Sequence, residues 1–266
     1  MDQTTAALPL IALRGLTVVP NMIIHFDLSR EMSVKAVEQA LNGKQKVLLV
    51  PQMNPDDEKP DIHSLYKVCT LADIKQVTKL PNHAERIMVE GVARVRIVEL
   101  NDNEGQYFSA SYEEIKDEED QIDPFEKEAL IRTLKEVLDT YVRFFPKIGK
   151  GLGRLFEEEE IHLPLLMNQI MINIPLTYEQ KQQILEIEDL DEQCRELITL
   201  ILDEAQIASI RTQLAVKVKE RIDKNQRDYI LHEQLEYIQE ELGDKNQYSD
   251  VKHYEEALVK LKADAE

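Results

Sequence analysis

The sequence predicts an α+β protein, in which a small N-terminal β subdomain with one helix is followed by a helical bundle that ends in a long projecting helix. Residues 1–115 consist of short apolar or alternating segments separated by turns, the pattern of buried and half-buried strands. From residue 124 onward, apolar residues recur at the spacing of amphipathic helices. Residues 191–242 contain neither proline nor glycine, which predicts one uninterrupted helix.

The β subdomain, residues 1–115, is predicted from its strands. They are expected at residues 8–13, 22–28, 47–50, 66–77, 86–90, 92–100 and 106–115. Within residues 22–28, apolar Met22, Ile24, Phe26 and Leu28 alternate with Ile23, His25 and Asp27, the period of a half-buried strand. Ser33 is expected to cap the single helix, which carries Val34, Val37 and Leu41 and ends at Asn42 and Gly43. Leu80, Pro81 and Asn82 predict a turn.

An acidic linker, residues 116–123, leads to the helical bundle, residues 124–205. Asp123, Pro124 and Glu126 mark a helix start, with a capping residue, a proline at the first helical position and a glutamate at the third. The helix that follows carries an apolar stripe of Leu130, Leu134, Val137, Leu138, Tyr141 and Phe145. We predict a loop at residues 146–153, an apolar helix at 165–174, and a helix that Thr177 and Gln180 cap and that ends near Ile187.

The long helix is expected to start at Asp189 or Asp191 and to stop before Gly243. At a rise of 1.5 Å per residue, roughly fifty residues span about 75 Å, which exceeds the width of a single-domain core. Beyond Leu214 only about one apolar residue occurs per turn, a narrow stripe that suits one partner helix, as in a coiled coil, or an exposed arm. Residues 206–243 are therefore predicted to project from the bundle.

Residues 244–266 are predicted to begin a further connection. Val251, Tyr254, Leu258 and Leu261 have helical spacing, and the chain stops within this helix at Glu266. We therefore expect the sequence to continue in a longer protein.

Composition and charge exclude several classes of function. The net charge is −19, and residues 116–206 carry most of it, which argues against nucleic acid as the partner. The two cysteines are far apart in the sequence, which fits a reducing compartment. The N-terminus lacks the basic residues of a signal peptide, and the longest apolar run, residues 163–175, is too short to span a membrane. We expect a soluble protein of the bacterial cytoplasm.

No motif in the sequence supports catalysis. The glycine cluster at residues 149–153 lacks the spacing of a phosphate-binding loop and lies between helices. His232 is followed four residues later by Glu236 rather than by the second histidine that a zinc protease requires. We therefore expect neither a catalytic residue nor a bound metal or cofactor in this chain.

Several motifs resemble the N-terminal domain of Lon-type ATP-dependent proteases. The N-terminal motif runs from Leu8 to Gly15 and continues with Val18, Val19 and Pro20, with Ala12 where the family usually has proline. Residues 28–33 resemble the start of the family's first helix, with Ser29 in place of the usual glycine. Leu80-Pro81-Asn82 and Val89-Glu90-Gly91 are similar to its β-hairpins. The most specific match is the long helix, at residues 218–221, 225–229, 233–235 and 241–243, with His232 as a departure.

The resemblance covers essentially the whole chain and implies both function and fold. Lon proteases are hexameric ATP-dependent serine proteases whose motor has a Walker A loop and whose protease domain has a Ser-Lys dyad. Neither motif occurs in this sequence, so the resemblance implies a non-catalytic fragment truncated before the AAA+ motor. ATP and Mg would belong only to the full-length parent. The family's N-terminal region has a β subdomain similar to PUA-like folds, and it serves substrate recognition and assembly in protein quality control.

The implied partners are unfolded or damaged proteins and other protomers of the same protein, without a membrane. Two loops with large apolar residues beside prolines are the expected substrate contacts, if those side chains are exposed: Val18, Val19, Pro20 and Met22 in one, and Leu80 and Pro81 in the other. The alternative is that these loops close the ends of the β core. The expected assembly residues of the long helix are Val218, Arg221, Ile222, Asn225, Tyr229 and Leu235. A stand-alone PUA-like module that binds nucleic acid or acts as a protein adaptor is the alternative function.

Overall fold

The computed structural model describes residues 7–81, 84–156, 160–241 and 254, with the backbone alone at residues 147, 149 and 150. The chain divides into two compact units, residues 1–206 and residues 207–266. The architecture is α+β, with a sheet followed by helices, as the sequence predicts. Asn82 of the predicted turn, the predicted stop at Gly243 and nearly all of the predicted last helix lie outside the described residues.

Six strands form one sheet among the described residues between 7 and 114. They are β1 (Leu8–Leu13), β2 (Ile23–Leu28), β3 (Lys46–Pro51), β4 (Val68–Lys79), β5 (Glu85–Asp102) and β6 (Phe108–Glu114). Their order is β2-β5-β4-β3-β1-β6, and an additional β5–β6 pairing closes five of them into a ring. Among the described strands, β2 pairs only with β5 and so forms an open edge.

Alternation along the strands supplies two apolar clusters on opposite faces of the sheet. Ile11 and Leu49 belong to one cluster, which α1 (Glu31–Leu41) covers with Ala36 and Val37. Leu10 of β1 and Leu48 and Val50 of β3, which point to the other face, belong to the second cluster. All residues from Val47 to Val50 are buried, as is typical of a strand that is covered on both faces.

The start of α1 differs from the prediction. The helix begins at Glu31, and Arg30 is its N-cap residue without a capping hydrogen bond from its side chain. Ser33 therefore lies inside the first turn and caps nothing, and Leu41, predicted on the apolar face, is 41% exposed. Ser33 is instead buried because its face of the first turn packs onto the sheet, as do Ala36 and Ala40 one and two turns later.

The strand β5 passes through Gly91 without a turn. The sequence predicted two segments on either side of this glycine, whereas the structure has one strand of 18 residues. A bulge occurs beside it, because Gly91 pairs with Ala72 and Ala93 pairs with Leu71, which leaves Val92 unmatched. Glycine is required because a Cβ at this position would lie 2.3 Å from the carbonyl oxygen of Val19.

In the part of the chain that the structure describes, five α-helices with defined bounds follow the sheet: α2 (Pro124–Val142), α3 (Pro146–Leu152), α4 (Leu163–Asn173), α5 (Tyr178–Glu186) and α6 (Leu190–Glu241). Asp123 caps α2 and accepts from the N–H groups of Phe125 and Glu126. Thr177 and Gln180 form the predicted capping box on α5. The predicted loop at residues 146–153 is wrong, because most of it forms α3 and Leu152 is 2% exposed in the helical core. Tertiary packing of this leucine outweighs the poor helix propensity of the glycines.

The helix α6 extends over 52 residues, as the absence of proline and glycine predicts. The backbone N–H of Glu192 donates to the side chain of Asp189, which confirms Asp189 as the start of the helix. Leu197, Ile201 and Ala205 belong to the helical core of the first unit. In the second unit, every residue from Ile210 to Ile238 is exposed.

Candidate functional site

The first predicted contact loop is largely inside the protein. Val18 is 1% exposed, Val19 is 0% exposed, and Pro20 is buried. The hydroxyl of Thr70 donates to the carbonyl oxygen of Val18 over 2.6 Å, and Val19 belongs to the helical core. These three side chains are therefore not available as surface contacts, which for this part of the loop favours the alternative, a role in the core. Neighbouring apolar residues and a long-range hydrogen bond hold this part of the loop in the core.

The remaining contact candidates are closer to the surface. Met22 is half-buried and packs against the helical core and against the cluster under α1. Leu80 is half-buried, and its N–H donates to the carbonyl oxygen of Ala84 within the β4–β5 turn. Pro81 is exposed.

The two predicted loops lie at opposite ends of β2. Ile23, which follows the first loop, pairs with Glu90, whereas Leu28 pairs with Glu85, where the β4–β5 turn ends. The five residue steps between these pairs span about 17 Å at the rise of a strand. Met22 and Leu80 therefore do not share one small patch.

Sequence reasoning missed two exposed apolar side chains near the first loop. Ile23 of the edge strand β2 is 64% exposed, and Val92 in the β5 bulge is 42% exposed. The period of two had placed Ile23 with His25 and Asp27, away from the buried face, and a large apolar residue on a solvent-facing side was the available signal. Glu90, which pairs with Ile23, precedes Val92 by two residues, so the two exposed apolar residues belong to neighbouring parts of the paired strands β2 and β5.

The assembly candidates of α6 divide between different sides of the helix. At about 100° per residue, Val218, Ile222, Asn225 and Tyr229 fall within one narrow stripe, and Arg221 lies at its flank. Leu235 lies roughly 120° around the helix from Tyr229. All six side chains are exposed, so the helix presents an apolar stripe at residues 214–229 and a different apolar side beyond it.

Both cysteines of the chain are free and buried. Burial raises the pKa of the Cys69 thiol well above its ordinary value. Burial, together with the negative charge of Asp191, raises the pKa of Cys194 to about 12, so both thiols stay protonated at neutral pH. Within the described part of the chain, no group of three or more His, Cys, Asp or Glu side chains is placed to hold a metal ion. No described helix is long and apolar enough to cross a membrane.

Comparison with known proteins identifies the family. Residues 7–203 match the family model described as the ATP-dependent protease La (LON) substrate-binding domain. The chain belongs to this family. It is 38% identical over 266 residues to the Lon protease of Lachnoclostridium phytofermentans, which covers 100% of this chain and 33% of that protein. It is also 33% identical over 259 residues to the Lon protease of Escherichia coli K12, covering 97% of this chain and 32% of that protein.

Two solved structures share the fold of this Lon substrate-binding chain. The N-terminal domain of the Mycobacterium avium complex Lon protease has a TM-score of 0.59 and 20% identity, covering 74% of this chain and 99% of that one. The Lon N-terminal domain protein from Xanthomonas campestris has a TM-score of 0.51 and 12% identity, covering 73% and 98%. The chain thus corresponds to the substrate-binding region of Lon proteases and spans about a third of the length of its curated relatives.

Proposed function

We propose that this chain is the substrate-recognition and assembly region of a hexameric ATP-dependent protease of the bacterial cytoplasm. In this role it binds unfolded or damaged proteins and delivers them to a motor that carries ATP and Mg, while the fragment itself catalyses nothing. The observation that carries the proposal is the match of residues 7–203 to a substrate-binding domain, a range close to the whole first unit. We assign residues 1–115 and 124–205 to recognition, with 116–123 as their linker, and 206–243 and 244–266 to assembly and connection to the motor.

We further propose that unfolded chains contact the surface around Ile23, Met22 and Val92. The edge strand β2 offers unpaired backbone groups to an extended peptide, which could add to the sheet as a further strand. Ile23 and Val92 supply exposed apolar contacts, and Met22 supplies a flexible and polarisable one. Contacts of this kind are suited to chains of varied sequence, because the hydrogen bonds use the peptide backbone. Leu80 and Pro81 form a separate contact in this proposal.

The test is binding of a permanently unfolded protein to the 266-residue chain. Fluorescently labelled, reduced and carboxymethylated lactalbumin serves as the probe, and native lactalbumin serves as the folded competitor. We expect the unfolded probe to bind and the native protein not to displace it. Failure of the probe to bind, or equal displacement by native lactalbumin, would contradict a role in recognising unfolded chains.

A matched pair of variants localises the contact. Ile23→Ser combined with Val92→Ser is expected to weaken binding by about tenfold, because two exposed apolar contacts are lost. Val98→Ser is the control. Val98 lies on β5, as Val92 does, and is 51% exposed, but it is about 20 Å further along the strand than Val92. Equal effects of the two changes on binding would place the contact elsewhere.

A further inference from the structure

A small cavity lies where the amino end of α1 meets β1 and β6. Its volume is about 330 Å³, at the lower end of the range of roughly 300–1,000 Å³ for ligand cavities. Leu10, Ala12, Met32 and Phe108 give it an apolar floor. Its rim includes Pro60 and the exposed side chains of Glu58 and Lys59. A cavity of this size holds one or two side chains rather than a folded partner.

The polar part of the cavity is the first turn of α1. Arg30, Glu31, Met32 and Ser33 all line it. The N–H groups of Ser33 and Val34 donate to the carbonyl oxygen of Arg30, but those of Glu31 and Met32 have no partner among the described residues. Free N–H groups at a helix start, together with the helix dipole, favour a negatively charged acceptor.

The hydroxyl of Ser33 is a second and independent indication of a ligand. Ser33 is 7% exposed, and its hydroxyl has no hydrogen-bond partner within the described chain. The Ser33 hydroxyl is not among the fully enclosed side-chain atoms that lack a partner, so it is open to the cavity, where a ligand can form a hydrogen bond with it. Ser111 has a fully buried hydroxyl without a partner, but it lies on β6 and does not line this cavity.

Charged side chains around the cavity leave a cation available. The guanidinium of Arg30 donates to the backbone carbonyl of Asp57 and has no ion pair within 4.0 Å among the described residues. The carboxylate of Glu31 pairs with the ammonium of Lys35 over 2.7 Å, and the Glu31 side chain is 82% exposed. Glu58 and Lys59 both line the rim, and the carboxylates of Glu58 and Asp57 lie close enough for their charges to act on Arg30. An incoming carboxylate therefore meets helix N–H groups, a hydroxyl and Arg30.

We propose that this cavity binds the C-terminal residue of a substrate polypeptide, with an apolar side chain in the cavity and the free carboxylate at the start of α1. The inference rests on the proposed function, because it takes the ligand to be a polypeptide. Only at its C-terminal residue does a polypeptide carry a carboxylate and an apolar side chain on the same Cα. Backbone N–H groups are a known means of capturing chain termini. The substrate class is therefore proteins that expose an apolar C-terminal residue.

The test uses the whole 266-residue chain and short fluorescein-labelled peptides of glycine and serine that end in two leucines. Fluorescence anisotropy compares the peptide with a free carboxylate with the same peptide carrying a C-terminal amide. We expect the amide to bind about tenfold more weakly, because a hydrogen-bonded charge is lost. Equal affinities would overturn the proposal. Displacement of the peptide by octanoate at comparable concentrations would also overturn it, since a fatty acid would then be the better description of the ligand.

Three variants test the location. Ser33→Ala is expected to weaken binding of the free-carboxylate peptide by about tenfold, whereas Ser111→Ala, the matched buried serine, leaves it unchanged. Ala12→Leu fills the cavity from β1 and is expected to abolish binding. Each variant is checked for an unchanged melting temperature. Unaltered binding by Ser33→Ala and Ala12→Leu would overturn the assignment.

Unfolded carboxymethylated lactalbumin, measured in parallel, separates this inference from the proposed function. If it binds while the peptides do not, the C-terminal site is wrong and recognition of unfolded chains stands. If neither binds, both are wrong.

Discussion

The guanidinium of Arg94 donates a hydrogen bond to the carboxylate of Asp117 over 2.9 Å, with the arginine side chain only 2% exposed. The same guanidinium donates to the carbonyl oxygens of Leu185 and Ile187. One side chain of β5 therefore joins the sheet to the segment after β6 and to the end of α5. Burial lowers the pKa of Arg94, an effect that the charge of Asp117 opposes.

Replacing Arg94 by methionine should lower the free energy of unfolding by about 3 kcal/mol. The loss follows because Asp117 and two carbonyl groups would lose a buried charged donor. Arg96→Met is the control, since the Arg96 side chain is 40% exposed and pairs with an exposed Glu188, a contact worth under about 1 kcal/mol. Urea unfolding curves of wild type and both variants measure the loss in free energy of unfolding. Equal effects would mean that Arg94 has no special role in joining the two parts.

Gly91→Ala should destabilise the fold by about 2 kcal/mol. The added Cβ would lie 2.3 Å from the carbonyl oxygen of Val19, so the loop or the β5 bulge must move. That movement would also disturb the hydrogen bond from Gly91 N–H to the Met22 carbonyl oxygen at 2.9 Å. Gly151→Ala is the matched change, because a Cβ there meets nothing within 4 Å. Thermal unfolding should show a lower melting temperature for the first variant and no loss for the second.

Glu119 should contribute to stability in a pH-dependent way. Burial alone would raise the pKa of Glu119. Hydrogen bonds from the Lys127 side chain, the backbone N–H of Leu163 and the His162 ring outweigh burial and lower the pKa below the ordinary 4.5. Because the pKa is lowered in the folded state, the stabilisation is present above pH 4.5 and is lost as the pH falls through the lower, folded-state pKa. The Lys127 ammonium lies 2.7 Å from the carboxylate.

Glu119→Gln should therefore cost about 1 kcal/mol at pH 7 and progressively less in acid. Glu118→Gln serves as the control, since Glu118 is the exposed neighbour. Urea unfolding at a series of pH values from neutral to acid measures both. A constant difference between wild type and Glu119→Gln at every pH would show that the charge of Glu119 is not the cause.

Local signals in the sequence predicted much of the fold. Asp123 before Pro124, and Thr177 with Gln180, gave correct helix starts because a cap depends on residues within a single turn. The same reasoning failed at Ser33, which lies on the buried face of a helix that already begins at Glu31. Local propensity was overruled there by packing against the sheet.

The candidate site was less predictable because it depends on contacts between distant residues. The sequence around Val18 and Val19 is typical of an exposed loop beside a proline. In the structure, Thr70 donates a hydrogen bond to Val18 and the backbone of Gly91 packs against Val19, so both valines are buried. The cavity at α1 is also lined by residues of β1, β6 and the loop before residue 61. These segments are far apart in the sequence, so no local pattern predicts that they meet. The exposed Ile23 could have been found, since the period of two already placed it on the polar side of β2.

The exposed stripe of α6 should mediate self-association. Residues 210–238 are all exposed, and a helix without a buried side gains little stability from packing within one chain. We therefore expect fast amide hydrogen exchange from Val218 to Glu241 at low protein concentration, and slower exchange as the concentration rises. Sedimentation velocity over the same concentrations should show a rising weight-average mass.

Two lysine substitutions distinguish the stripe from the rest of the helix. Val218 lies in the stripe with Leu214 and Ile222, and Val216 lies about 200° around the helix from Val218. Both are similarly exposed, at 56% and 53%. Val218→Lys should weaken self-association by about tenfold or more, because a charge would enter an apolar contact between helices. Val216→Lys should leave association unchanged, and equal effects of the two lysines would exclude this stripe as the contact.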